Sequence, residues 1–391
     1  MNSTASRCSG LLWKPPLRWL PLLVGVSALV MTSSARGQEQ IDKRSSTPRT
    51  NSRDILTEQE WQEVESAIDK GLVFLSRQQR PDGGFHPDSN NEPGISGLCL
   101  MAFLSRGHLP KRGPHGEKLA KSVEYLLDSQ QPDGLISRQR QPYHAPYNHG
   151  IASLVISELY GMSQPAEEVR IRQAIERALV FTSYRYSQPK NFPDDEGSWR
   201  YLRRHHSSDG DLSVTSWNVM FLRSAKNSGF QVDVSLIDDA LGYMKRLYDP
   251  QFKTFRYEIH PDDAQYNHPR GMAGAGALSL SLSGEHHSEL AQNAARYILK
   301  RPFDQFDRPV AGEEYPCYAA FYCSQGMFHL GGEYWSEYYP RLVKTLLKAQ
   351  RADGSWMMKQ GLDVRYGASY MTALTILALT PPYQMLPIFQ R

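Results

Sequence analysis

Apolar residues recur along this chain at two different rhythms, and the two alternate. The segments KGLVFLSRQQRPDGGF (70–85), KSVEYLLDSQQPDGLI (121–136) and RLVKTLLKAQRADGSW (341–356) repeat one pattern. Each is an amphipathic helix with apolar positions at helical spacing, followed by Gln, then Asp-Gly, then an aromatic or apolar residue. Looser copies fill the gap at RALVFTSYRYSQPKNFPDDEGSW (177–199), DALGYMKRLYDPQFKTFRY (239–257) and NAARYILKRPFDQF (293–306). Between them lie helices of another character: GISGLCLMAFLSRG, YNHGIASLVISELYG, DLSVTSWNVMFLRSA, GMAGAGALSLSLSG, CYAAFYCSQGMFHLGG and YGASYMTALTILALT. These are apolar nearly all round, so they must be enclosed, and their Gly, Ala and Ser let neighbours approach closely. The first set keeps a charged face and belongs outside. Six outer and six inner helices in alternation predict an all-α fold, an (α/α)6 barrel or toroid of six two-helix repeats.

The Asp-Gly pairs are turn chemistry, because Asp caps and Gly takes positive φ without a steric penalty. The aromatic that follows (Phe85, Trp199, Trp356) is expected to pack back on the outer helix. The amides of Gln79, Gln130 and Gln350 are expected to bond free backbone groups at helix ends.

The first 37 residues change the charge picture. They hold Arg7, Lys14, Arg18 and Arg36 and no acid, so the net charge of +3 becomes −1 without them. Such a balance gives no reason to invoke nucleic acid or an anionic membrane. Lys14 and Arg18 flank 13 mostly apolar residues, Trp19 to Met31, ahead of small residues around Ser33, Ala35 and Gly37. That is the composition of a secretory signal, and the apolar run is shorter than the roughly 20 residues a spanning helix needs. Residues 1–37 are therefore read as a signal peptide, 38–53 as a polar disordered linker and 54–391 as the toroid domain. The mature chain is expected to be exported to the periplasm, cell envelope or extracellular space, without a membrane span. An uncleaved N-terminal anchor is the alternative. Cys99, Cys317 and Cys323 remain after the signal, an odd number that argues against a disulfide framework.

Helix, Gln, Asp-Gly and aromatic, repeated around a double ring, resembles the repeats of squalene–hopene cyclases and the barrel of protein prenyltransferase β subunits, over about residues 60–380. Among the cyclases the resemblance implies an Asp-x-Asp-Asp-Thr-Ala acid at the start of an inner helix. Here Asp211-Leu212-Ser213-Val214-Thr215-Ser216 stands there, with Ser213 and Val214 in place of two acids. A hydroxyl cannot protonate an alkene. In the prenyltransferases zinc is held by Asp-x-Cys and His. Cys317 matches, but Tyr315 replaces the Asp and Tyr366 stands about where the His belongs. No intact catalytic motif of either group is present, and the expectation is no metal and no cofactor. His268 and Arg270, in YNHPRGMAGAGAL, resemble the segment with which prenyltransferases hold a diphosphate.

In a closed barrel the inner-helix N-termini gather at one mouth, offering unpaired N–H groups. The candidate ligand-binding residues there are His149, Asp211, Ser213, His268, Arg270, Tyr318, Tyr366 and Tyr370, with His144, Tyr147 and Tyr315 beside them. Trp217, Phe221, Tyr322 and Phe328 would line a cavity, or more plainly fill the core. The expected function is binding of an isoprenoid-like lipid or other apolar ligand in the barrel. The alternative is an envelope scaffold with a filled barrel, using the insertion 186–210 with Arg203, Arg204, His205 and His206 as its surface. A carbohydrate-active (α/α)6 enzyme would need paired carboxylates or an Arg/Lys base across the mouth, where Asp211 is the clear carboxylate and Glu313 and Glu314 lie just before the fifth inner helix. A thioester barrel is excluded by the lack of Cys-x-Glu-Gln.

Overall fold

Thr57, Asp233 and Ser288 cap three of the outer helices, and the turns after Gln79, Gln130 and Gln350 grip the next outer helix around the ring. A computed structural model describes residues 53–85, 91–162, 165–261, 267–307 and 312–391. The expected signal peptide (1–37) and, as far as residue 52, the linker lie outside the described residues. The outer helices are α1 (Glu58–Gln78), α3 (Gly116–Asp128), α5 (Pro165–Tyr186), α7 (Val234–Arg246), α9 (Glu289–Leu299) and α11 (Gly332–Ala349). Alternating with them are the inner helices α2 (Gly94–Ser105), α4 (Ala145–Leu159), α6 (Leu212–Asn227), α8 (Arg270–Leu282), α10 (Pro316–Leu330) and α12 (Gly367–Leu379). Thr57 opens α1 with a capping box: its N–H donates to Glu60 Oε2 at 2.7 Å and its Oγ1 accepts from Glu60 N at 3.2 Å. Asp233 and Ser288 cap α7 and α9 in the same role.

The inner helices pack side by side in chain order, and α12 returns to pack against α2. Outside them α11 meets α1, so the double ring closes. All twelve residues of α2 are buried, and so is α8 from Arg270 to Ser281. Small residues permit this. A Cβ on Gly274 would lie 2.5 Å from the backbone N of Cys323, so α8 and α10 touch backbone to backbone. Among the described residues Cys99, Cys317 and Cys323 are buried free thiols. Among the described residues no helix is long and apolar enough to cross a membrane.

The turns do more than reverse the chain. Gln79, Gln130 and Gln350 donate through Nε2 to the carbonyls of Lys118 (2.7 Å), Ala174 (2.9 Å) and Ala67 (2.8 Å), each on the next outer helix around the ring. The same amides also donate to the turn carbonyls of Gly83, Gly134 and Gly354 just past their own helices, at 2.9 to 3.2 Å; the further bond links repeats, and that of Gln350 joins the last to the first. The residue three places beyond each turn acid (Asp82, Asp133, Glu196 and Asp353) then enters the core. Phe85, Ile136, Trp199 and Trp356 donate their backbone N–H to Ser96 Oγ, His149 Nδ1, Thr215 Oγ1 and Thr372 Oγ1 on the neighbouring inner helix, at 2.8 to 3.1 Å.

Two features were not legible in the pattern. After α7 the turn is a hairpin, β1 (Tyr248–Asp249) paired antiparallel with β2 (Thr254–Phe255). At the opposite end of the barrel from the inner-helix N-termini, the tail after α12 folds under the ring in two short 3-10 turns, Pro381–Tyr383 and Pro387–Phe389. Phe389 packs on Phe321 at 6.0 Å, and Ile388 N donates to the buried Glu158 Oε2 at 3.1 Å.

Candidate functional site

Trp217 sits at the heart of the barrel, stacked on Phe321 with ring centroids 5.6 Å apart and planes 5° from parallel. Its neighbour Tyr322 meets it edge-on at 5.6 Å. Trp217, Phe221, Phe321, Tyr322 and Phe328 have 0% exposure. A wall facing a chamber would retain accessible area, so these aromatics fill the core and do not line a cavity.

Above them the helix tips form a polar rim. Asp211 caps α6, its Oδ1 accepting from Val214 N at 2.7 Å. Its Oδ2 lies 3.7 Å from Arg200 Nε. Arg200 is itself buried and ion-paired with Glu258. Burial raises the Asp211 carboxyl to about 6, against the pull of Arg200 and the Val214 N–H. One turn on, Ser213 Oγ and Tyr318 OH are 2.7 Å apart, and Trp217 Nε1 donates to that same phenol at 2.8 Å. Tyr147 joins from α4, beside Ser213, Asp211 and Tyr201. Tyr366 and Tyr370 meet at a tilt of 47° with ring centroids 4.9 Å apart, and Tyr315 is 6.4 Å from Tyr366. Tyr147, Asp211, Ser213, Tyr318, Tyr366 and Tyr370 thus share one rim. Arg200, Tyr201, Tyr257 and Glu258, absent from the sequence reading, belong to it.

The remaining candidates are engaged elsewhere. His149 fills the place that Ser96, Thr215 and Thr372 hold in other repeats, accepting from Ile136 N at 3.1 Å with its Nε2 2.9 Å from Thr182 Oγ1. Burial pushes its ring down to about 3, so it is a neutral structural imidazole. His268 is drawn to the hairpin, with Nε2 3.1 Å from Asp249 Oδ2 and its ring stacked on Phe252. Arg270 Nη1 donates to the carbonyls of Arg301 (2.9 Å) and Pro302 (3.1 Å), and its Nε lies 3.5 Å from Glu313 Oε2. His144 stands just ahead of α4, its N–H on Gln141 Oε1 at 3.1 Å.

A second buried acid emerges beside Cys317. Asp363 Oδ2 accepts from Cys317 N, at the start of α10, at 2.6 Å. Burial raises its carboxyl to about 7, with the Cys317 N–H opposing and Glu313 adding to the rise. A carboxyl raised in the folded state stabilises below its unfolded value, near 4, and loses that contribution as pH climbs through about 7. Asp363→Asn keeps an acceptor for Cys317 N and never ionises. It is expected to gain on the native protein by on the order of a few kcal/mol between pH 4 and pH 7, and to hold that gain above. Melting temperatures of both proteins across this range test it, and parallel curves would refute it. Among the described residues no group of three or more His, Cys, Asp or Glu is arranged to hold a metal ion.

The molecule is an all-α toroid, a fold it shares with a type II terpene cyclase and with carbohydrate-active enzymes. No family model matches the chain, and no curated protein matches it. Among solved structures it is similar to the type II terpene cyclase MstE of Scytonema in complex with merosterolic acid A, at 13% identity, covering 85% of this chain and 100% of that one with a TM-score of 0.56. It is also similar to a D-mannose isomerase (12% identity, 83% and 97% covered, TM-score 0.59). A third is the GH76 α-mannanase of Bacteroides thetaiotaomicron (9% identity, 82% and 95% covered, TM-score 0.57). Likeness at such identities is one of fold, and one fold hosts many chemistries.

Proposed function

We propose that the protein is an exported toroid that binds without cyclising, taking an apolar ligand of isoprenoid type at its tyrosine rim. The filled barrel centre corrects the expectation of a ligand inside the barrel: with Trp217, Phe221, Tyr322 and Phe328 at 0% exposure, the described residues leave no chamber there for a folded polyene, which moves the site to the rim and argues against cyclisation. The rim above them offers half-buried aromatic faces from Tyr147, Tyr318 and Tyr366, which suit an apolar body with polar groups at its edge. A solved cyclase of this fold binds geranylgeranyl dihydroxybenzoate as substrate, which supports the ligand class. Export rests on the composition of residues 1–37. The carbohydrate-active reading gains Glu258 as a second carboxylate near Asp211, but both lie against Arg200, and Asp211 also caps a helix.

The test is mass spectrometry of lipids recovered with the exported protein, together with titration by a geranylgeranyl amphiphile. The reading expects saturable binding that weakens in Tyr366→Ala, with the amphiphile returned unchanged. Absence of saturable binding removes the rim as a site. Recovery of a cyclised product overturns binding without chemistry.

A further inference from the structure

The third repeat differs from the others by its insertion, and the insertion encloses space. Residues 186–210 fold back over the end of α5 and leave a cavity of about 200 Å³ between that helix and the first turns of α4 and α6. This is room for roughly six water molecules at the ~30 Å³ each occupies in the liquid.

Phe181, Trp199 and Leu202 supply its apolar wall, and four cations supply its charge: Arg185, Lys190, Arg200 and Arg204. Arg200 is matched by Glu258 and Asp211 on its far side. The other three have no carboxylate within ion-pair distance among the described residues. Their donors go to neutral acceptors instead. Arg185 Nη2 reaches Tyr201 O at 2.8 Å. Lys190 Nζ reaches Ser198 O at 2.8 Å and Asp209 O at 3.2 Å. Arg204 reaches Pro189 O and Asn191 Oδ1, both at 2.8 Å.

The one carboxylate on the wall is Asp209, and its oxygens accept from the backbone of Asn191 (2.7 Å) and His205 (3.3 Å). Three cations therefore face one carboxylate that is already hydrogen-bonded. Arg204 is exposed, but Arg185 and Lys190 are half-buried, and charge partly withdrawn from water is costly; burial pushes the Lys190 ammonium down to about 8, against the pull of Asp209. A bound anion would relieve that imbalance, and a planar guanidinium suits an oxyanion.

We infer that this crevice is a binding site for a small oxyanion-bearing ligand, a carboxylate or phosphate on a body about the size of one sugar ring. It shares Arg200 and Tyr201 with the rim but needs no ligand there, so it stands or falls without the rim reading.

Calorimetric titration of the full chain with inorganic phosphate, glucuronate and uncharged glucose tests it. Saturable binding of phosphate or glucuronate, but not of glucose, is expected, and the stronger of the two anions identifies the source. Arg185→Gln or Lys190→Gln should weaken that binding about ten- to a hundredfold, the loss of one hydrogen bond to a charged group. Lys190→Arg should retain it, as should Arg203→Gln, whose guanidinium bonds Tyr143 OH away from the cavity. Should the glutamine variants fail to fold, the comparison of anions with glucose on the native chain still decides. Failure of both anions to bind, equal binding of glucose, or undiminished binding in folded Arg185→Gln and Lys190→Gln overturns the site.

Discussion

Alanine in place of Gly134 is expected to cost about 3 to 5 kcal/mol of stability, among the largest effects any turn in this protein can show. Two penalties combine. Gly134 has φ +93°, which an L side chain adopts only under strain, and a Cβ there would lie 2.1 Å from the carbonyl oxygen of Arg177 on α5. That oxygen belongs to helix backbone and cannot swing aside. Gly161 provides the comparison, since its φ is +82° but a Cβ would meet nothing within 4 Å. Chemical denaturation of both variants separates conformational strain from collision. If Gly134→Ala is no more than about 1 kcal/mol worse than Gly161→Ala, the close approach of turn to neighbouring helix is not what these glycines serve.

Removing the Trp217 side chain should be comparably severe, about 4 kcal/mol, the usual range for truncating a buried large aromatic. The indole is fully buried, stacked on Phe321, and its Nε1 holds the Tyr318 phenol at 2.8 Å. Trp217→Ala leaves a dry void at the centre of the barrel and one rim hydroxyl short of a donor. Such voids accept small apolar molecules. Added indole or benzene should therefore raise the melting temperature of the variant and leave that of the native protein unchanged. A loss below about 1.5 kcal/mol would mean the centre is looser than a filled core allows.

The architecture was readable because it rests on local signals repeated many times: helical periodicity, glutamine, and Asp-Gly turns. What the pattern could not carry was the identity of long-range partners. His149 looked like chemistry because it was read alone. Its equivalence to Ser96, Thr215 and Thr372 depends on aligning inner helices whose distance from the preceding turn varies from 11 to 16 residues. Arg270 and His268 read as ligand contacts until Glu313 and Asp249, distant in the chain, came to face them. Nothing local marks Arg200 and Glu258, because their meeting depends on 57 intervening residues folding first. The tail, PPYQMLPIF, reads as a proline-broken loop, and nothing local says that Phe389 ends against Phe321. The rim was located because helix direction alone places the tips together, but which tips bond one another followed from the tertiary structure.

An open stack of repeats has two ends, and its terminal units lack a neighbour on one side, so they loosen first and need protective caps. Here the glutamine of the last outer helix reaches the first as its counterparts reach theirs. No unit is terminal, so melting has nowhere to start by peeling inward. Loss of any one unit exposes two flanks at once, and a chain of six similar parts should therefore unfold in a single step.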